Sequence, residues 1–338
     1  MKHSATIPFN KEVYYRLIAL WILCESVVGG MIHGFKLPVS GLVVGSSAVI
    51  CICLIAYYMP VRGAIIKATI VVAIFKLMLS PHTPIPAYFA VFFQGILGEL
   101  LFITHRNFKI SCMLLAIIAL LESALQRILI MTFVYGTYIW EAVNDVAKKL
   151  FNNSTINYSF YLITFYVILH FLAGIFIGWF AASLPTRTAR WNILHRDLII
   201  PVKELKSEQS FTPASNKKKK IRTALLITWM LLLILFFQSY FNIGQPLLPS
   251  HISLQILVRS IIILLTWYLV ISPILLKFLK QWLAKKQVQS QRDVNAVLQL
   301  LPSTKYILVK SWHLTASYKG LNRLAQFCKI VFVNTLHA

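Results

Sequence analysis

Eight stretches of this chain are almost wholly apolar, at roughly residues 16–34, 42–59, 63–79, 87–104, 110–135, 158–184, 223–241 and 255–277. Each is about long enough to cross the ~30 Å hydrocarbon core of a bilayer as a helix. Inside that core every backbone N–H and C=O must be satisfied internally, which leaves helices or a closed barrel. A barrel needs short strands that alternate apolar and polar residues, and these runs do not alternate. Only 13% of the residues are charged and 58% are hydrophobic, whereas soluble domains carry about 25% charge. The expected fold is an all-α polytopic membrane protein of about eight transmembrane helices.

A polar, basic break over 185–222, ending in four consecutive lysines, divides the chain. The expected organisation is a leader (1–15), a six-helix bundle (16–184), a basic linker (185–222), a two-helix unit (223–277) and a basic tail (278–338) with short amphipathic helices. The net charge of +23 raises the question of nucleic acid, but its distribution answers it. With the N-terminus inside, 27 Lys and Arg fall on cytoplasmic segments and three (Lys36, Lys148, Lys149) on external loops. The positive-inside rule then puts both termini in the cytoplasm. Anionic lipid is the expected partner of the basic segments, and nucleic acid is not.

Five cysteines, four of them within spans, indicate no disulfide framework. No P-loop, H-E-x-x-H, G-x-S-x-G or zinc-spaced Cys/His set occurs, and the three Asp residues form no paired-acid motif. Neither catalytic residues nor a metal or cofactor is expected.

Chemistry is concentrated instead in polar groups within the spans. Residues 63–104 read as a helical hairpin around the stiff tip Ser80-Pro81-His82-Thr83-Pro84-Ile85-Pro86, since three prolines cannot continue a helix. Lys76 precedes the tip, and Gln94 and Glu99 lie in the second arm. Span one carries Glu25, span five Glu122, Gln126 and Arg127, and span six His170. Hydrocarbon penalises such groups by roughly 2.5–3.5 kcal/mol each, so they should face protein or water. The candidate substrate-binding residues are Lys76, Gln94, Glu122, Gln126, Arg127 and His170. Arg127 and Lys76 would take a carboxylate or phosphate, and Glu122 and Gln94 would take donors. The competing reading is that these groups satisfy one another. Span six also carries Gly174-x-x-x-Gly178-x-x-x-Ala182, the spacing of a close helix–helix contact. Residues 137–150 have the spacing of an amphipathic surface helix anchored by Tyr138 and Trp140.

Phe75-Lys76-Leu77, Pro84-x-Pro86-Ala87, Gly95 through Phe102 and Gln126 give residues 10–185 a texture that resembles the substrate-binding S components of energy-coupling-factor vitamin transporters. The resemblance implies a six-helix protein that captures a vitamin or similar micronutrient from outside. It further implies a transmembrane coupling subunit and two cytoplasmic ABC-type ATPases as partners. The chain departs from that pattern in its first span, where the small-residue contact is Gly30-x-x-x-Gly34 at the external end, and in its two additional spans and basic tail. Two other classes stay open: a membrane-embedded enzyme acting on a lipid-linked or isoprenoid substrate, and a scaffold that recruits a partner through its tail.

Overall fold

The computed structural model describes residues 10–29, 40–80, 83–103, 107–151, 156–194, 199–200, 227, 229–230, 234 and 252–336. Every regular element among them is helical. Among the described residues five helices are long and apolar enough to cross a membrane, the mark of an α-helical membrane protein. The expected seventh span, 223–241, falls mostly outside the described residues, as do Gly30, Gly34, Pro81 and His82.

In chain order the elements are α1 (Lys11–Leu23), α2 (Ser40–Tyr58), α3 (Ala64–Leu79), α4 (Ile85–Phe102), α5 (Phe108–Tyr135) and α6 (Tyr138–Phe151). They continue with α7 (Tyr158–Leu194), α8 (Ile252–Thr266), α9 (Ser272–Gln289), α10 (Gln291–Leu314) and α11 (Gly320–Leu336). The chain divides into two compact units. The first holds Met1–Glu122, His170–Pro213 and Trp282–Ala338, and the second Ser123–Leu169 and Ala214–Gln281.

In the first unit α1 is the central rod. Asn10 caps it, its side-chain oxygen accepting from the Glu12 and Val13 amides at 3.0 and 3.2 Å. Leu17 through Leu23 are all buried, so the helix is apolar on every side, as a helix enclosed by others must be. Its neighbours are α2, α3, α10 and α11. The last two come from the expected tail. Val294, Val297, Leu301 and Ile307 line the buried stripe of α10, and Ile330 through Leu336 are buried at the end of α11. The helical periodicity of the α10 stripe is that of a helix packed on a core by one face, whereas the end of α11 is enclosed on all sides.

Helices α3 and α4 form the expected hairpin. Pro84 sits at the N-cap of α4 with φ −68° and ψ 150°, and Pro86 lies in its first turn, where a missing N–H is harmless. Glycines set the closest approaches. A Cβ on Gly95 would collide with Thr69 Oγ1 of α3, and one on Gly98 would fall 2.6 Å from Ile52 Cγ2 of α2. The Gly174–Gly178 stripe of α7 lies on the backbone of α5, with 2.7 Å from a Gly174 Cβ to Ile117 Cα and 2.6 Å from a Gly178 Cβ to Met113 Cα.

Helix α7 does not stop where the basic segment begins at 185 but runs on to Leu194. Pro185 deprives the helix of a single N–H, and neighbouring groups hold the turn. The Thr188 hydroxyl bonds the Leu184 and Pro185 carbonyls at 2.9 and 3.1 Å. The Arg187 guanidinium lies 4.9 Å over the Trp179 ring. Helices α8 and α9 are joined through a π-helical turn, Trp267–Ile271, immediately before Ser272-Pro273. The proline cannot donate to the residue four back, and the wider turn absorbs the mismatch.

In the second unit α6 closes on the ends of α5 and α7. Trp140 Nε1 donates to Thr132 Oγ1 at 2.9 Å, and Asn144 Oδ1 accepts from the Tyr158 amide at 2.8 Å. Gly136 makes the reversal between α5 and α6 with φ +75°, a left-handed conformation that glycine adopts without strain. Trp229 Nε1 donates to Thr266 Oγ1 of α8 at 2.8 Å.

Candidate functional site: a buried polar cluster around Glu25 and Lys76

Helix α1 ends in a second π-helical turn, Cys24–Val28, in which the Gly29 amide bonds the Cys24 carbonyl five residues back. Such widened turns recur at functional sites because they re-aim side chains that a regular helix would hold elsewhere. Here the re-aimed side chain is Glu25. Its carboxylate accepts from Lys76 Nζ of α3 at 2.6 Å, with both side chains no more than 5% exposed. The same ammonium donates to the Ala87 carbonyl at 3.3 Å and lies 5.8 Å from the centre of the Tyr88 ring. Lys76 thus ties α1 to α3 and to the first turn of α4.

Around this pair the helices bring further polar atoms together. Ser80 Oγ donates to the Ser26 carbonyl at 3.3 Å, which fixes the end of α3 against the π turn. On the α2 side, a Cβ on Gly29 would lie 3.5 Å from Val44, and one on Gly45 would lie 3.5 Å from Gln94 Nε2. Four buried atoms in this region make no hydrogen bond: Ser26 Oγ, Ser46 Oγ, Tyr88 Oη and Gln94 Oε1. Gln94 is only 3% exposed and Tyr88 2%. Leaving such an atom unsatisfied costs roughly 1–3 kcal/mol, and apolar residues would pack the same space at no such cost. Core packing therefore does not explain the set. Buried polar atoms of this kind are ordinarily satisfied by an ordered water or a bound molecule.

The remaining expected site residues are distributed as follows. Glu122 stands near the end of the part of α5 that belongs to the first unit, both carboxylate oxygens buried and without a hydrogen bond. Two residues before it, Leu120 reaches Gly45, with 3.1 Å from its Cδ2 to a Cβ there. The antiparallel register that puts Gly178 on Met113 and Gly174 on Ile117 brings His170 level with Leu121, the next residue to Glu122. His170 is fully buried. Gln126 and Arg127 belong to the second unit and are half-buried. Lys76 bonds Glu25 and not Glu122, and neither Glu122 oxygen has a hydrogen-bond partner.

Glu99 does different work. Its two carboxylate oxygens accept from the Gly63 amide at 2.5 Å and the Ile66 amide at 3.4 Å, capping the N-terminus of α3. Tyr14 Oη adds a bond to the Ala64 carbonyl at 2.9 Å. The site residues that pattern reading passed over are Glu25 as an active member, Tyr88, Ser26 and Ser46. The available signal was charge matching, since Glu25 is the only acid in the run 16–34 and Lys76 is an opposite charge near the end of another.

The four polar atoms lie beside the ion pair on the end of α1 and on α2, α3 and α4. Hydroxyls donate or accept and an amide oxygen accepts, so the chemistry of the set is hydrogen bonding. Among the described residues no group of three or more His, Cys, Asp or Glu could hold a metal ion. No protein-family model matches the chain, and no curated protein or solved structure matches it.

Proposed function

We propose that this protein is an integral membrane substrate-binding subunit that captures a small polar molecule for uptake. The observation that carries the reading is the buried Gln94 amide oxygen, which makes no hydrogen bond at the edge of the Glu25–Lys76 cluster. Together with Tyr88, Ser26 and Ser46 it leaves four polar atoms to be satisfied by something other than the described side chains. A pocket lined by apolar helices with a few convergent polar groups is the ordinary form of a small-molecule site.

In this proposal the chain crosses a bacterial inner membrane eight times, with both termini cytoplasmic, as the positive-inside distribution favours. The solute enters from outside, near the 80–86 tip, and is held between α1, α2, α3 and α4. No ATPase motif occurs in the chain, so energy comes from partners, a transmembrane coupling subunit and cytoplasmic ABC-type ATPases. The resemblance over residues 10–185 to vitamin-transporter S components supports the same assignment.

The test is mass spectrometry of proteins that co-purify with the tagged chain after mild solubilisation of its native membrane. Recovery of an ABC-type ATPase with a second membrane subunit is the expected result. A chain recovered with no ATPase would remove energy coupling from the proposal.

A further inference from the structure

The atoms without hydrogen bonds in the cluster are three hydroxyls and one amide oxygen, all uncharged at pH 7. The two ionic groups beside them are matched to each other at 2.6 Å. A charged solute would either bring an uncompensated charge into a buried site or pull that pair apart, and both are unfavourable in a low-dielectric interior. An uncharged solute does neither. Hydroxyls donate or accept, an amide oxygen only accepts, and Lys76 uses two of its three ammonium protons on Glu25 and Ala87. The complementary molecule thus carries at least one N–H or O–H for Gln94 and oxygen acceptors for the donors around it.

Resting on the binding function proposed above, we infer that the Glu25–Lys76 cluster selects a small solute of zero net charge with both donors and acceptors, and rejects anions despite the chain's charge of +23. Lys76 is therefore a neutralised, positioning cation and not an anion receptor. The selectivity comes from the mutual pairing of Glu25 and Lys76 at 2.6 Å, so it is independent of the basic segments elsewhere.

The experiment uses the full-length tagged chain in nanodiscs. It is incubated with two matched pairs that differ chiefly in charge, nicotinamide with nicotinate and myo-inositol with its monophosphate. Retained molecules, and small molecules released by denaturing the freshly purified chain, are quantified by mass spectrometry. Gln94→Leu and Tyr88→Phe serve as site variants, each first shown to melt cooperatively. The expected result is retention of an uncharged probe or endogenous molecule about tenfold or more above any charged counterpart, falling about tenfold in Gln94→Leu. Preferential retention of a charged molecule would overturn the inference while leaving the binding function standing. Retention unchanged in both variants would move the site elsewhere and overturn it as well. If the wild-type chain retains nothing and releases nothing, the cluster is filled by water, and the binding function fails together with the inference.

Discussion

Lys76 reaches Glu25 across 51 positions of sequence to form a 2.6 Å bond, and the acid stands on the turn where α1 widens from an α-helix to a π-helix. The widening and the bond belong together. Glu25 is the second residue of the π turn Cys24–Val28, and from there its carboxylate meets Lys76 of α3.

Removing one member of this pair strands the other. Lys76→Met leaves Glu25 buried with no cation and is expected to destabilise the fold by about 3–5 kcal/mol. Glu25→Gln combined with Lys76→Met removes both charges and should recover most of that loss. Thermal unfolding in detergent, compared across the two singles and the double, measures the coupling. Equal destabilisation in the double and the singles would mean that lost packing matters here and charge does not.

The α5–α7 contact depends on missing side chains. A Cβ on Gly178 would come within 2.6 Å of Met113 Cα, a backbone atom that cannot swing away. Gly178→Leu should therefore abolish monodisperse folded protein in size-exclusion chromatography, and Gly178→Ala should lower the melting temperature measurably. Gly63 is the control, because nothing lies within 4 Å of its Cβ position but its φ is +81°. Gly63→Ala should cost about 1 kcal/mol through backbone strain alone.

These two features mark how far sequence reached. The glycine stripe was legible because small residues at a four-residue period have one dominant use in apolar helices. The α3–α4 hairpin was legible because proline limits a helix through its own covalent structure. The Glu25–Lys76 pair was not, since composition shows which groups are costly in hydrocarbon and says nothing of which will meet. The C-terminal segments were read as a surface tail because their mean polarity is high, yet a single apolar stripe on α10 is enough to pack it against α1. The change to basic composition at 185 was read as the end of span six, yet α7 continues to Leu194, with Thr188 and Arg187 making local contacts that composition does not reveal.

Glu99 is a cap by its geometry. Its carboxylate holds two amides at the start of α3, a helix whose own N-cap residue, Gly63, has no side chain to offer. Glu99→Ala should destabilise by about 1–2 kcal/mol, the range for losing a helix cap. Binding of any solute in the Gln94 region should survive the change. A loss of binding with unaltered melting would instead put Glu99 in contact with the solute.

The packing of α10 against α1 can be tested through pH. Tyr15 Oη donates to Asp293 Oδ1 at 2.7 Å, linking the start of α1 to the first turn of α10. Partial burial, and then that bond, push the Tyr15 phenol up from its ordinary 10.0 to about 12. A phenol that stays protonated in the fold while the unfolded chain ionises contributes stability that is whole below about pH 10 and lost as pH climbs toward 12. The melting temperature should therefore fall through that window, and Tyr15→Phe should fall less steeply over the same range. Tyr14, whose phenol burial also raises, is unchanged in that variant, so the difference between the two curves isolates the Tyr15 contribution. Asp293→Asn keeps an acceptor but removes the negative charge, and its curve should lie between the other two. The same packing governs how a truncation is read. Deleting 278–338 would uncover the apolar face of α1 that α10 and α11 bury, so loss of function in that deletion reports unfolding of the first unit before it reports any lost partner.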